Sequence, residues 1–68
     1  MIELTPHQIN VVREAAELGE RINSLIAFRE TPEGKALPLP YRSLLSDQLF
    51  YMREYHRVLK LRLQRWGA

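Results

Sequence analysis

From Leu45 to Trp66 one seam recurs at alternating spacings of four and three: Leu45, Leu49, Met52, His56, Leu59, Leu63 and Trp66. No Gly or Pro interrupts it, so it reads as the buried stripe of a single amphipathic helix. Such a helix is about 33 Å long, more apolar edge than one helix can shield alone. The rest of the chain must therefore supply what the seam packs against.

Residues 5–30 answer that need. Thr5-Pro6-His7-Gln8 is a helix start, with Thr5 as N-cap, Pro6 in the first helical position and Gln8 closing a capping box. Leu4 and Ile9 stand where a hydrophobic staple forms. Two apolar stripes follow, Val11, Ala15, Leu18, Ile22, Leu25 and Ile9, Val12, Ala16, Gly19, Ile26. Together they make a face wider than one partner helix covers, so one stripe can meet the second helix and the other should meet another subunit. Gly19 in a helix interior costs roughly 1 kcal/mol against Ala, which points to a packing or ligand reason for it. Residues 31–39 read as a loop, in which Gly34 can take positive φ, and Pro40 opens a second helix over 40–66 that Gly67 ends. Leu44, Tyr51, Tyr55 and Val58 form a second stripe beside the seam.

The expected fold is all-α: one domain over residues 1–68, an antiparallel two-helix hairpin that assembles into a homo-oligomeric helical bundle. A chain of 68 residues buries only about 60% of its unfolded surface. With no cysteine, neither disulfides nor zinc–thiolate sites can staple it, which leaves self-association. No basic-then-apolar leader opens the chain and no apolar run approaches about 18 residues, so neither a signal peptide nor a membrane span is expected. Residues 1–34 hold six acids and three bases, residues 35–68 seven bases and two acids. In an antiparallel hairpin part of that asymmetry should be internal complementarity.

No nucleophile elbow, HExxH, Gly-rich phosphate loop or DxDxDG loop is present, so no enzyme, catalytic residue, metal site or cofactor is expected. His7 lies in the first helical turn, among N–H groups that suit an anion, though an exposed capping-turn residue fits equally. His56 reads first as a hydrogen-bonded core or interface histidine. Phe50, Arg53, Arg57 and Lys60 put one aromatic and three cations along one edge of the second helix. That combination suits a nucleotide's phosphates and bases. The plain alternative is a solvated face whose cations pair with Glu14, Glu17 and Glu20. Arg13 and Arg29 stand alone on the first helix, while Tyr51, Tyr55 and Trp66 read as core aromatics that could also stack a base.

Pro6-His7-Gln8, Val11-Val12, Glu14 and Glu17-Leu18, followed by Leu44-Leu45, Gln48-Leu49, Met52, Tyr55 and Leu59, follow the patterns PHQxxVVxExxEL and LLxxQLxxMxxYxxxL. Over nearly its whole length the chain thereby resembles a family of small two-helix phage proteins first noted in crAss-like phages. It departs at Ala15, where that pattern carries a lysine. The family is similar to the hairpin domain of phage anti-CBASS and anti-Thoeris sponges. Those form oligomers, the anti-CBASS ones hexamers, and hold cyclic di- and trinucleotides or cyclic ADP-ribose isomers between subunits without cleaving them. The resemblance implies such a sponge, acting in the cytoplasm of the infected bacterial host. Its ligand would be held by His7, Gln8 and Arg13 of one subunit and Arg53, Tyr55 and Arg57 of another. Arginines would take phosphate, Tyr55 would stack, and Gln8 would meet a base edge or ribose. Two other readings stay open. One is a hairpin that docks on a host or phage protein, the other a small nucleic-acid binder, which the small net charge and the acidic first helix disfavour.

Overall fold

The computed structural model describes residues 4–66, and within them all regular structure is helical. Helix α1 spans Pro6–Arg29, α2 Pro32–Lys35 and α3 Leu39–Trp66. The two long helices pair as an antiparallel hairpin that measures 50 × 16 × 16 Å.

Helix α1 starts as its residues dictate. Gln8 N–H donates to Thr5 Oγ1 at 3.2 Å, and Thr5 N–H donates back to Gln8 Oε1 at 2.8 Å. This reciprocal box satisfies two helix-end donors, with Pro6 occupying a position where no N–H is needed. The expected loop contains an additional turn of helix. Thr31 caps α2 by accepting from Gly34 N–H at 3.1 Å, while its hydroxyl donates to the Phe28 carbonyl at 2.6 Å. The Thr31-Pro32 pair repeats the Thr5-Pro6 start, which is the sequence signal for this turn. Gly34 does not serve through positive φ, since no described residue adopts one. A Cβ at Gly34 would collide with the Phe28 carbonyl oxygen and lie 3.0 Å from Arg29 Cα, so glycine is required for the close approach of α2 to the end of α1. Helix α3 begins at Leu39, one residue ahead of the expected start, which puts Pro40 second. Gly67, read as the helix stop, lies outside the described residues.

All seven seam residues of α3 are buried or half-buried. Val11, Ala15 and Leu59 form the central cluster, with Leu18, Leu63 and Trp66 packed on it. Ile22 and Leu49 are buried further along. Of the two α1 stripes, the first thus faces α3, while Ile9 and Val12 of the second remain exposed. So do Leu44, Tyr51, Tyr55 and Val58 of the adjacent α3 stripe, Tyr51 at 69%. The radius of gyration is 15.5 Å, against about 11 Å for a compact globule of this length. The chain is a thin rod whose core is one seam wide.

Candidate functional site

The flanks of the hairpin differ because residues two apart on a helix lie about 200° apart. Tyr55 sits on one side of the seam, and Arg53 and Arg57, each two positions away, sit on the other. On the Tyr55 flank its hydroxyl donates to Glu14 of α1. Glu17, Glu20 and Arg21 line a shallow depression on that flank with Gln48 and Met52 of α3. The hydrogen bond to Glu14 holds the Tyr55 phenol above its ordinary value of 10.0, with partial burial and the Glu14 charge adding to the rise and Arg62 opposing it.

On the opposite flank, α1 and α3 enclose a groove of about 410 Å³, lined by Gly19, Ile22, Asn23 and Ile26 from α1 and Arg53, His56, Arg57 and Lys60 from α3. Gly19 makes the groove: a Cβ there would meet His56 Nε2 at 3.3 Å. The half-buried His56 ring lies over the bare helix backbone, and among the described residues it has no hydrogen-bond partner. The hydrogen bond expected of a core histidine is thus missing. No carboxylate lines the groove.

The cations of this groove are not neutralised by α1. Among the described residues the ion pairs are Arg57 with Glu54 at 3.1 Å, on the same helix, and Lys35 with Glu30 at 4.0 Å. Pairing with Glu14, Glu17 and Glu20 does not occur, because Glu14 is held by Tyr55 and the other two line the far flank. The acid–base asymmetry between the halves therefore does not translate into ion pairs across the α1–α3 seam. Arg53 and Lys60 face the groove as cations without a carboxylate partner among the described residues.

The six residues singled out for a ligand are distributed over the rod. Arg53 and Arg57 share the groove. Tyr55 occupies the other flank, with its ring exposed. Gln8 has its carbonyl in the capping box, which leaves its NH2 free. His7 lies at the open end of the hairpin, where Arg62 donates to its Nε2 at 3.2 Å. That bond requires the lone pair on Nε2 and the proton on Nδ1. The same ring meets Trp66 edge-on at 5.9 Å, and Arg62 lies 5.3 Å from the Trp66 ring centre. Arg13, two positions from buried Val11 and Ala15, is exposed on the outer side of α1. Within one chain only Arg53 and Arg57 come together.

Sequence reasoning passed over Asn23. Its signal was available: it is the polar residue filling the gap between Gly19 and Ile26 in the second α1 stripe. Among the described residues no group of three or more His, Asp or Glu side chains gathers as a metal ion would need, and no helix is long and apolar enough to cross a membrane.

No curated protein and no solved structure matches the chain. The family model of Sequestin matches residues 5–65, a span that takes in α1, all but the last residue of α3 and every residue lining the groove. The chain belongs to the Sequestin family.

Proposed function

We propose that the protein is a phage anti-defence sponge that binds cyclic nucleotide immune signals and sequesters them uncleaved, blunting CBASS- or Thoeris-type immunity in the host cytoplasm. The observation that carries this reading is the α1–α3 groove. It sets cations without carboxylate partners beside an apolar floor of Ile22 and Ile26 and two hydrogen-bonding side chains, Asn23 and His56. Phosphate, base face and base edge each find a matching surface there. The family name suggests sequestration, which agrees with a protein that holds its ligand.

Assembly completes the proposal. The accessible surface is 5538 Å², about 1,100 Å² more than a compact monomer of this mass exposes. That excess is comparable to what each partner buries in a stable interface, about 800 Å². The Leu44, Tyr51 and Val58 flank is the natural surface for it, in a homo-oligomer that the sponge resemblance would make a hexamer. Arg53 and Arg57 of one subunit then grip phosphate. His7, Gln8, Arg13 and Tyr55 lie on other faces of the rod, so they can reach that ligand only from a neighbouring subunit. The same apolar flank supports a second reading, a hairpin that docks on a host or phage protein and binds no small molecule.

Calorimetric titration with cyclic di- and trinucleotides and cyclic ADP-ribose isomers tests the assignment. Arg53→Ala and Arg57→Ala should each weaken binding by about ten- to a hundredfold, the worth of a charged hydrogen bond of roughly 1.5–3 kcal/mol. Unchanged binding in both variants would sink the site.

A further inference from the structure

At the closed end of the hairpin, where α1, α2 and α3 meet, lies a second cavity of about 410 Å³. Each element contributes one cation to its lining: Arg29 from the last turn of α1, Lys35 from α2 and Arg42 from the start of α3. Ser43 and Ser46 add two hydroxyls. The single carboxylate among the lining residues is Glu30, and its contact with Lys35, at 4.0 Å between side chains 66% and 75% exposed, is a loose, solvent-screened pair. Arg29 and Arg42 make no ion pair among the described residues.

Helix-end electrostatics account for only part of this. Arg29 ends α1, where a cation is favoured, whereas Arg42 stands four residues into α3, where the helix dipole disfavours one. The arrangement is also fixed by the backbone. Gly34 lets α2 press against the Phe28 carbonyl, and the Thr31 hydroxyl pins that turn, which sets Lys35 beside the end of α1. Three cations converging on one concavity with so little compensation repel one another unless an anion joins them.

We propose that this cavity is a second binding site, one for a phosphate-class oxyanion. It differs chemically from the groove. No aromatic or amide side chain lines it, so it has nothing on which to stack a base or read its edge, while guanidinium groups and hydroxyls match phosphate oxygens. The inference does not depend on the cyclic nucleotide reading of the groove.

Backbone amide NMR of the full chain at low ionic strength, titrated separately with inorganic pyrophosphate and with AMP, tests it. Saturable shifts are expected at the amides of Gly34, Lys35, Ser43 and Ser46, with the two ligands binding there within a few-fold of each other. Arg29→Gln and Arg42→Gln, checked for unchanged helicity, should each weaken that binding about tenfold and leave any shifts at Gly19 and Asn23 in place. Shifts that never saturate, variants that bind as the native chain does, or AMP binding these amides more than tenfold tighter than pyrophosphate would each overturn the assignment.

Discussion

Gly19 and Gly34 both carry ordinary helical backbone, so propensity alone would make alanine at either position stabilising by up to about 1 kcal/mol. The structure separates them. At Gly19 the new Cβ meets the end of the His56 side chain at 3.3 Å, and a ring can yield a few tenths of an ångström. Gly19→Ala should therefore keep most of the propensity gain, about 0.5–1 kcal/mol, or roughly 2–8 °C in Tm for a chain of this size. At Gly34 the Cβ meets the Phe28 carbonyl and Arg29 Cα, both backbone, and the α1–α2 turn must open. Overpacking costs typically 1–3 kcal/mol, and a collision with backbone that cannot rotate away belongs in the upper half of that range, so Gly34→Ala should lower stability by about 1–2 kcal/mol after a propensity gain of up to about 1 kcal/mol. Both changes are read by circular dichroism melts at matched protein concentration, because self-association makes Tm concentration-dependent. Function should move the other way for Gly19→Ala: the methyl narrows the groove and displaces His56, so ligand affinity falls while stability rises. Gly34→Ala melting at or above the native Tm would refute the steric argument, and Gly19→Ala binding as tightly as the native chain would refute the groove.

Leu59 is fully buried in the central cluster, and Leu59→Ala should cost about 2–5 kcal/mol. A chain of 68 residues holds only about 3–10 kcal/mol in total, so a urea melt of this variant should show a largely lost transition, and a shift below 1 kcal/mol would contradict the core assignment. Tyr55 keeps its proton to higher pH than ordinary tyrosine because it donates to Glu14. Its folded-state value is raised, so this contact supports the fold below the ordinary tyrosine value and is lost as pH rises through the folded one. Near-ultraviolet titration should show Glu14→Gln moving one of the three tyrosines to lower pH, and an unchanged titration would dissociate the pair.

The periodic parts of this fold were legible in the sequence. A seam without Gly or Pro from Leu45 to Trp66 admits one structure, and the Thr5–Gln8 box fixes where α1 begins. That one of the two α1 stripes meets α3 is also legible, but both repeat with the same helical period, so only the packing shows that it is the stripe of Val11, Ala15 and Ile22. What stayed hidden depends on how two helices are rotated about their axes. Periodicity places Arg53 and Glu14 on their own helices and does not say that they lie on opposite flanks of the pair. That rotation removes the expected partners of the basic stripe and brings Asn23 and His56 into one groove, whereas the place of Tyr55 across the seam from Arg53 and Arg57 follows from the helical period of α3 alone. From sequence His7 suits an anion or a plain exposed capping turn, and neither reading shows that its ring is engaged by Arg62 and Trp66 from the far end of the chain. Gly34 was read through its backbone freedom, although what matters there is the space a side chain would take.

The most direct test of the sponge account is thermal unfolding of the full chain against cyclic di- and trinucleotides and cyclic ADP-ribose isomers, with the ligand recovered after denaturation. At 100 times its Kd a bound ligand should stabilise the protein by about 2.7 kcal/mol, a shift on the order of 10 °C or more for a chain this small. The account predicts such a shift for one ligand class, its loss in Arg53→Ala, and release of the ligand chemically intact. A flat response across the panel, or recovery of a cleaved ligand, would contradict it.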